Sequence, residues 1–508
     1  EECLIGEKEP VAHIMRYATV SEWKAKVGIL LGIAAVILGL ASMSWHEEAA
    51  GWRQALPDVL QWILAGFSFL AMGELLWRGL LVWRYKSTEA CSDAELPTVS
   101  VIVPAYNEGA QVMETLLSVA RSDYPREKMQ IISIDDGSRD DTWQWMRKAG
   151  KQLGSRVKLI RQPVNKGKRH ALFEGFLRSR GQILVTIDSD SLVDPSTIRR
   201  LVSPFVRDAK VGAVAGNVRV LNYKQGLLPR MMEVSFTLSF DFLRASQSKV
   251  NTVLCTPGAL SAYRRDVLAP HMKAWCDQTF LGRPAGIGED RALSNIVLRD
   301  GFHIVYEREA MVYTNVPNNY KGLCKMLLRW ARSDLREVGS YLSFAFTRFR
   351  DTPALGARIN GILNLLQVTA YELLKLIILP SLLIFPKYTL ACLVISMVIG
   401  GIQLAVVYFI RYRSTNCLWA FPYVLYSVTA LCWIGVWAML TPQNSGWLTR
   451  DLQQKSRSRR RAELREAVLR FPNTTPVLQN LKLDQAGAST LSLPVLSAFP
   501  PGQVQPLP

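Results

Sequence analysis

Long uncharged stretches near both ends of this 508-residue chain constrain its fold more than any other feature. Residues 27–45 and 388–410 contain no charged side chain, and residues 59–83 and 359–385 contain only two each. About 20 consecutive, mostly apolar residues are enough for an α-helix to cross a bilayer. The sequence therefore predicts membrane-spanning helices on both sides of a central soluble region.

Basic residues gather beside these stretches, as is typical of the cytoplasmic flanks of membrane spans. They predict a multi-pass protein of the cell membrane (inner or plasma membrane) with a cytosolic segment at residues 1–26, two spans within residues 27–86 and two within residues 359–410. The net charge of +18 is then explained by orientation and anionic lipid, and no signature of nucleic-acid binding is present. The clusters are Lys24 and Lys26, Arg84 and Lys86, Arg411 and Arg413, and Arg457 with Arg459 to Arg461.

The central region, residues 97–316, has the pattern of a soluble α/β domain. Short β-rich apolar runs alternate with amphipathic helical stretches, which predicts a parallel sheet covered by helices on both faces. Ligands of such sheets bind at the carboxyl ends of the strands. The runs are Val99 to Val103, Gln130 to Ile134, Val157 to Ile160, Ile183 to Ile187 and Val211 to Val214.

The fourth run ends in Ile-Asp-Ser-Asp, so Asp188 and Asp190 project from one side of an extended backbone. Neighbouring carboxylates repel each other unless a positive charge lies between them, and a hard divalent cation with oxygen ligands is the usual partner. The pattern predicts a cation site. Its position between predicted spans suggests chemistry on a diphosphate-bearing substrate at a bilayer surface.

Other motifs follow the strand ends, and each is weak alone. Asp135-Asp136 could accept hydrogen bonds from a base or ribose, although Asp-Gly is also a common turn. Residues 165–170 place three cations around one glycine, which suits a diphosphate or simply a solvated loop. Asp290 opens a helical stretch, where a carboxylate is either a cap or, if it faces the cation site, a general base. Arg329-Trp330 offers a guanidinium for phosphate and a ring for sugar stacking.

Two amphipathic stretches, residues 227–243 and 320–342, predict helices that lie on the membrane surface or pack on the domain. We assign residues 317–350 to such an interface segment. The uncharged residues 414–449 have basic flanks at both ends, which favours re-entrant or interface helices, bent at Pro422 and Pro442, over a fifth span. The composition of residues 451–508 predicts a basic and then disordered tail.

Together, these motifs resemble those of processive family-2 glycosyltransferases of the hyaluronan synthase, chitin synthase and rhizobial chitooligosaccharide synthase group. The resemblance covers residues 60–450. Residues 255–264 resemble the acceptor-side loop of these enzymes, and residues 446–450, Gly-Trp-Leu-Thr-Arg, resemble their gating motif, so the interface segment extends over residues 414–450. The resemblance implies a GT-A-type nucleotide-sugar domain with a mostly parallel sheet, inserted between transmembrane and interface helices.

The resemblance also implies a role for each matching residue. Asp188 and Asp190 would bind Mg²⁺ or Mn²⁺, and Asp290 would be the general base. The implied catalytic residues are Asp290, Glu289, Arg329 and Trp330. The implied substrate-binding residues are Tyr106, Glu108, Asp136, Lys168, Asp188, Gly258, Trp447, Thr449 and Arg450. The implied partners are a UDP-sugar donor, a growing polysaccharide acceptor and the lipid bilayer.

The chain departs from the family pattern at three positions. Met326 stands where the family has a Gln before Arg-Trp, Gly288 stands where a Thr is common, and Leu448 replaces a Gly in the gating motif. Loss of that Gln removes a hydrogen-bonding group near the acceptor. None of the three changes affects the implied base, the cation ligands or the Arg-Trp pair.

The function implied is an inverting, processive transfer that builds a β-linked, N-acetylglucosamine-containing polysaccharide, chitin-like or hyaluronan-like, and exports it. Two alternatives stay open. One is a non-processive family-2 transferase that acts on a lipid phosphate, and it shares the strand-end motifs. The other is a non-catalytic membrane scaffold or transporter, against which the intact Asp188, Asp190 and Asp290 argue.

Overall fold

The structure, a computed structural model, describes residues 20–41 and 58–444. Ten strands lie within the described residues, all of them between residues 99 and 314. They are β1 (Val99–Ala105), β2 (Met129–Asp135), β3 (Val157–Arg161), β4 (Ile183–Ile187), β5 (Ser191–Val193), β6 (Val211–Val220), β7 (Leu260–Arg264), β8 (Thr279–Phe280), β9 (Arg283–Pro284) and β10 (His303–Thr314).

Eight of these strands form one sheet in the order β3-β2-β1-β4-β7-β6-β10-β5, and β8 pairs with β9 in a separate hairpin. Strand β1 is parallel to both β2 and β4, β2 is parallel to β3, and β6 is parallel to β10. Strand β7 runs antiparallel to β4 and β6, and β5 runs antiparallel to β10. The predicted mostly parallel sheet is therefore confirmed, and β5, β7 and β10 are additions to the five predicted runs.

Helices cover both faces of the sheet and continue on either side of it in the chain. They are α1 (Val20–Ala41), α2 (Asp58–Trp83), α3 (Gln111–Ala120), α4 (Thr142–Leu153), α5 (Lys168–Leu177), α6 (Thr197–Arg207), α7 (Leu227–Phe236), α8 (Leu243–Ser248), α9 (Arg265–Leu268), α10 (Met272–Cys276), α11 (Glu289–Arg299), α12 (Tyr320–Ala345), α13 (Leu355–Val368), α14 (Ala370–Ile384), α15 (Pro386–Tyr412), α16 (Ala420–Ala430) and α17 (Trp433–Leu440).

The central strands bury side chains on both faces, which explains their continuous apolar runs. Val101 and Val103 of β1 belong to the core beneath α3, α4 and α6, whereas Ile102 belongs to the core beneath α5 and α11. This division follows the two-residue period of an extended chain. Each fully buried side chain of this size contributes about 1.5–3 kcal/mol, so the sheet holds the strand ends at which the motifs lie.

Two helical stretches of the described chain, Leu355–Ile384 and Thr389–Tyr412, are long and apolar enough to cross a membrane. They match the predicted spans at residues 359–385 and 388–410. Pro386 separates them and begins α15, where its missing N–H leaves no helical hydrogen bond unmade. Their crossing of a bilayer stays a prediction.

The N-terminal uncharged stretches also form helices within the described residues. Helices α1 and α2 expose large apolar side chains, among them Trp62 and Phe69 at 78% and 80%. The two charged residues of α2, Glu74 and Arg78, pair with each other, with a distance of 2.7 Å between Oε1 and Nε. Whether α1 and α2 cross a membrane stays a prediction.

Helices α16 and α17 are bent by 45° relative to each other. Taken together they are long and apolar enough to form either one broken span or a re-entrant loop. The bend lies at Leu431 and Cys432, between the two helices, and not at Pro422, which lies in the first turn of α16. The re-entrant arrangement therefore stays a prediction. Residues 445–450, which carry the predicted gating motif, lie outside the described residues.

The two predicted surface helices pack on the domain. Residues 227–248 form α7, a π-helical turn at Thr237–Phe242 and then α8. In α12, Leu323 and Tyr341 are buried in the two cores of the domain, and Val338 is also buried. Packing on the domain leaves any further contact of these helices with a bilayer as a prediction.

Candidate active site

A cavity of about 700 Å³ opens at the carboxyl ends of the central strands and extends to the apolar helices α13 and α14. Most of the residues predicted for the active site from the sequence line it. They are Lys168, Asp188, Asp190, Gly258, Glu289, Asp290, Arg329 and Trp330. Tyr106, Glu108 and Asp136 are not part of its wall, and Trp447, Thr449 and Arg450 lie outside the described residues.

Lys168, the first residue of α5, is one of the cations that line this cavity. Its Nζ lies 2.5 Å from Oδ1 of Asp188 and 3.2 Å from Oε1 of Glu289. Burial alone would lower the pKa of Lys168, but the charges of Asp188 and Glu289 outweigh it and raise that pKa above its usual value. Lys168 is therefore charged at neutral pH and joins β4 to the start of α11.

Gly258 allows Lys168 to reach this position. A Cβ atom at residue 258 would lie 2.5 Å from the Nζ of Lys168 and 3.7 Å from a carboxylate oxygen of Asp188. Any side chain at this residue would displace the ammonium group. The close approach explains why a glycine precedes β7 and makes Gly258 part of the Lys168 site.

Asp190 follows β4 and lines the cavity beside Asp188. Its Oδ1 lies 3.3 Å from Oγ of Ser191 and 3.4 Å from Oγ1 of Thr314. In the described part of the chain, no group of three or more His, Cys, Asp or Glu side chains could hold a metal ion. Mg²⁺ commonly takes one or two protein carboxylates and completes its shell with water and substrate phosphates. Asp188 and Asp190 would supply the two carboxylates of such a coordination shell.

Asp290 is the second residue of α11 and faces the same cavity. Its Oδ1 accepts a hydrogen bond from the Arg291 N–H at 2.8 Å, and its Oδ2 lies 3.7 Å from the Cys255 sulfur. Burial, followed by the nearby negative charge of Glu289, raises the pKa of Asp290 above its ordinary value. A buried carboxylate with a raised pKa has the affinity for protons that a general base needs.

The pKa of Glu289 is shifted in the opposite direction to that of Asp290, although the two residues are adjacent. Burial would raise the pKa of Glu289, but the positive charges of Lys168 and Arg329 outweigh burial and lower it. The two carboxylates at the start of α11 thus differ in proton affinity. Such divergence between adjacent acids is typical of sites where one is a fixed anion and the other exchanges protons.

Arg329 and Trp330 come from α12 and line the same cavity. The Nε of Arg329 is buried and has no hydrogen-bond partner within the described structure. The ring of Trp330 contacts the rings of Phe236 and Phe240, with centroid distances of 6.0 and 6.1 Å. The cavity wall therefore combines a guanidinium with an aromatic surface, groups that suit a phosphate and a sugar ring respectively.

Three of the predicted substrate-binding residues outside the cavity wall, Tyr106, Glu108 and Asp136, have positions or contacts of their own. Asp136 accepts hydrogen bonds from the backbone N–H groups of Lys166 and Gly167, at 2.9 and 2.8 Å. Burial raises the pKa of Asp136 despite these two bonds. Glu108 accepts a hydrogen bond from Ser189 at 2.8 Å, so it lies one contact from the Asp-x-Asp segment. Tyr106 follows β1 directly. Their part in nucleotide binding stays a prediction.

Comparison with known proteins places this site in a family. A model described as glycosyltransferase like family 2 matches residues 97–333. An N-acetylglucosaminyltransferase of Rhizobium meliloti (strain 1021) is 31% identical over 373 residues, which cover 72% of this chain and 84% of that protein. The chain belongs to glycosyltransferase family 2.

Two further proteins are similar to this chain, one over a shorter length and the other at lower sequence identity. The hyaluronan synthase of Streptococcus pyogenes is 36% identical over 244 residues, covering 47% of this chain and 57% of that protein. The solved mannosyltransferase PcManGT from Pyrobaculum calidifontis, in complex with GDP-Man and Mn²⁺, has 21% sequence identity and a TM-score of 0.48, covering 71% of this chain and 97% of that one.

Family membership confirms the predicted resemblance and the predicted GT-A-type α/β fold, and it makes the chain an enzyme that transfers a sugar. The alternative prediction, a non-catalytic membrane scaffold or transporter, is therefore wrong. The roles that the resemblance implies for single residues are not tested by family membership and stay predictions.

Sequence reasoning missed two groups in the cavity of this glycosyltransferase. Arg291 pairs with Asp334 of α12, with 2.6 Å between Nε and Oδ1. Arg244 of α8 also lines the cavity. Asp334 follows Trp330 by four residues, so a search along one helix face from the Arg-Trp motif would have found it. Arg244 carries no such signal, because it belongs to none of the motifs found in the sequence.

Proposed function

We propose that this glycosyltransferase moves N-acetylglucosamine from UDP-N-acetylglucosamine to the end of a growing chain and so builds a β-linked, chitin-like polysaccharide, with a hyaluronan-like product as the second candidate. The observation that carries the proposal is that Lys168, Asp188, Asp190, Asp290 and Arg329, though far apart in sequence, line a single cavity. The N-acetylglucosaminyltransferase and hyaluronan synthase relatives support the choice of sugar.

Asp290 acts as the general base in this proposal. Its carboxylate accepts the proton of the acceptor hydroxyl while that oxygen attacks the anomeric carbon from the face opposite to the departing nucleotide. The attack from the opposite face inverts the configuration of the sugar, so an α-linked donor gives a β linkage. A positioned base of this kind contributes about 10²–10⁴ in rate.

Lys168 and Arg329 stabilise the negative charge that develops on the departing diphosphate, because both are fixed in the cavity before the reaction begins. Trp330 offers its ring to the acceptor sugar. The aromatic cluster around Trp330 and the burial of the catalytic groups keep water away from the anomeric carbon, which favours transfer over hydrolysis.

The charge balance of the cavity supports a requirement for a divalent cation. Its lining holds six carboxylates against five cationic side chains, and a nucleotide diphosphate adds further negative charge. The carboxylates are Asp188, Asp190, Glu289, Asp290, Asp334 and Glu372. The cations are Arg78, Lys168, Arg244, Arg291 and Arg329. Mg²⁺ or Mn²⁺ held by Asp188 and Asp190 would neutralise the diphosphate and make it a better leaving group.

Export of the product is part of the same proposal. The cavity continues from Asp290 to Asn364 and Gln367 of α13 and to Glu372 of α14. These polar side chains lie on a helical stretch that is long and apolar enough to cross a membrane. A path lined by amides suits the hydroxyl and acetamido groups of a polysaccharide. The catalytic domain would lie in the cytosol and the product would leave between the helices.

The decisive experiment incubates the purified protein with UDP-N-acetylglucosamine alone, with UDP-glucuronate alone and with both, in the presence of Mg²⁺ or Mn²⁺ and then of chelator. We expect UDP release and a ladder of chitinase-sensitive products from UDP-N-acetylglucosamine alone, lost on chelation. A hyaluronidase-sensitive product that needs both sugars would support the second candidate. Absence of UDP release from UDP-N-acetylglucosamine, or transfer of one sugar to a lipid phosphate, would overturn the proposal.

A further inference from the structure

A π-helical turn, Thr237–Phe242, interrupts the helical segment between α7 and α8. Hydrogen bonding of the i to i+5 type is rare and is frequently found at functional sites. Two residues of this turn, Ser239 and Phe240, line the catalytic cavity, as does Arg244 in the first turn of α8. The turn therefore needs an account within the chemistry of this cavity.

The outer side of the turn is held by a buried carboxylate. Oδ1 of Asp241 accepts a hydrogen bond from Nε of Arg308, on β10, at 2.7 Å. Its Oδ2 accepts one from Nε of Arg411, in the last turn of α15, at 2.9 Å. Asp241 thus ties the turn to the sheet and to the end of an apolar helix that is long enough to be a span.

The inner side of the turn forms part of the wall around Trp330. The Phe240 ring meets the Trp330 ring edge-on, with the centroids 6.1 Å apart. The guanidinium of Arg244 lies over the same Phe240 ring, 4.2 Å from its centroid. A shift of the turn would therefore move the tryptophan and the arginine together.

Arg244 is bound in a way that leaves hydrogen-bonding capacity. Its Nε donates to the Cys255 carbonyl at 3.0 Å and its Nη1 to the Ser239 carbonyl at 2.8 Å. A guanidinium has five N–H donors, so these two bonds do not exhaust it. Arg244 is buried and forms no ion pair with any residue of the described chain, whereas the neighbouring Arg291 is paired with Asp334. Burial of a cation without a carboxylate is costly unless oxygen atoms solvate it.

The ligand oxygen that Arg244 suits best is a neutral one. Carboxylates already outnumber cations in this cavity, so a carboxylate-bearing sugar would meet net repulsion there. A hydroxyl or an acetamido carbonyl accepts a hydrogen bond from a guanidinium without adding charge. Cys255, whose carbonyl accepts from Arg244, also lies beside Asp290 through its sulfur. Arg244 is therefore one residue removed from the proposed base.

We propose that Arg244 is an acceptor-binding residue, which donates a hydrogen bond to a hydroxyl or acetamido oxygen of the terminal acceptor sugar, and that Asp241 is the positioning residue that fixes Arg244 and Phe240 from the end of α15. This inference rests on the proposed function. If it is correct, the acceptor part of the site selects an uncharged sugar.

Variants Arg244→Gln and Arg244→Lys test the first half. The measurements are KM for UDP-N-acetylglucosamine, KM for an added chitooligosaccharide acceptor, and the ratio of donor hydrolysis to transfer. A lost hydrogen bond to a charged group predicts a rise of about tenfold or more in the acceptor KM, with an unchanged donor KM and more hydrolysis per transfer. An unchanged acceptor KM, or an equal rise in both constants, would remove Arg244 from this role.

Variant Asp241→Asn tests the second half, with Asp241→Glu as the conservative partner and Glu309→Gln as the matched control. Glu309 contacts the same Arg411 at 3.4 Å but is not part of the turn. We expect Asp241→Asn to raise the acceptor KM and the hydrolysis ratio, Asp241→Glu to restore part of both, and Glu309→Gln to change neither. Loss of kcat with both KM values intact, or no recovery with Glu, would reduce Asp241 to a structural residue and sink its positioning role.

The unaltered protein separates the two levels of the proposal. If it releases no UDP from UDP-N-acetylglucosamine, the proposed function fails and this inference fails with it. If it is active and the Arg244 variants retain the acceptor KM, only the inference is overturned. Thermal unfolding of each variant in detergent distinguishes loss of fold, which would depress binding of donor and acceptor alike, from loss of the acceptor contact.

Discussion

Lys168 organises the active site at the scale of single residues. It reaches Asp188 after β4 and Glu289 at the start of α11, and the absence of a side chain at Gly258 leaves room for it. The two acids that begin α11 differ in proton affinity, because burial and then the charge of Glu289 raise the pKa of Asp290, whereas the charges of Lys168 and Arg329 outweigh burial and lower the pKa of Glu289. Two predictions follow from that difference.

Replacement of Asp290 by Asn should nearly abolish sugar transfer while raising thermal stability. The pKa of Asp290 is raised in the folded protein, so above about pH 4, the ordinary pKa of Asp, its negative charge destabilises the fold. Asn carries no charge and has the same shape. We expect transfer to fall by at least about 10²-fold, UDP binding to persist, and the midpoint of unfolding to rise more at pH 8 than at pH 5. Full activity, or a lowered midpoint at pH 8, would contradict the assignment.

The pH profile of kcat/KM should carry the same signature. A general base works only when deprotonated, so the raised pKa of Asp290 moves the acidic limb of the profile above about pH 4. Glu289→Gln removes one cause of the raised pKa, the neighbouring negative charge, and should move that limb to lower pH. Rates measured from pH 4 to 8 with saturating acceptor check this, and a limb that stays in place in the variant would exclude Glu289 as a cause.

At this scale the sequence predicted eight of the residues that line the cavity, and the reason is local. Asp188, Asp190 and Asp290 each stand directly after a strand or at a helix start, where motif and position in the fold coincide. Arg244 and Asp241 could not be predicted in this way. Their partners, Cys255, Arg308 and Arg411, are brought to them only by the tertiary fold.

At the scale of elements, the sequence predicted five strands of the main sheet and missed β5, β7 and β10. Strand β10 contains Glu307, Arg308 and Glu309, which hide its β pattern. The structure accommodates two of them by contacts far away in sequence, since Glu307 accepts a hydrogen bond from the Thr88 N–H and Arg308 pairs with Asp241. The π-helical turn was missed because no local sequence pattern distinguishes it from α-helix.

Helix α5 packs on the sheet through a glycine, which gives an element-scale prediction. A Cβ at Gly175 would lie 2.5 Å from Cγ2 of Ile102 and 3.1 Å from Cδ1 of Ile134. Gly→Ala within a helix normally stabilises by about 1 kcal/mol, but overpacking a core costs about 1–3 kcal/mol. We expect Gly175→Ala to lower the midpoint of thermal unfolding and, because α5 begins with Lys168, to reduce kcat.

The control for that experiment is Gly339→Ala in α12. Gly339 is exposed and has nothing within 4 Å of its added Cβ, so the same substitution should be neutral or stabilising there. Equal effects of the two substitutions on the unfolding midpoint would show that the close packing of α5 on β1 carries no energetic weight.

At the scale of the whole molecule, the division into apolar helices and a polar domain was predictable because charge-free length is visible in the sequence. Two helical stretches of the described chain meet the criteria for a span. What the sequence could not decide is the path of α16 and α17, since a bent pair of apolar helices satisfies either a broken span or a re-entrant loop. That choice depends on helix packing rather than on composition.

Two lysines on opposite sides of the predicted membrane test the topology. Lys387 lies between the two candidate spans, whereas Lys151 is exposed on α4 of the catalytic domain. With Lys387→Cys, a membrane-impermeant maleimide should label intact cells above the level of the unaltered chain. With Lys151→Cys, labelling should require permeabilised cells. If both cysteines need permeabilisation, Leu355–Ile384 and Thr389–Tyr412 do not cross as predicted.

The contact of Lys168 with two carboxylates has a consequence for selectivity against the small anions of a cell. Phosphate or sulfate that enters the site must first part an ammonium group from oxygens at 2.5 and 3.2 Å. A small inorganic anion has no heterocycle or hexose whose binding could offset the free energy of breaking these ion pairs. A nucleotide sugar has both groups. Small inorganic anions should therefore bind only weakly at this site in the substrate-free enzyme. Millimolar phosphate should leave its turnover almost unchanged.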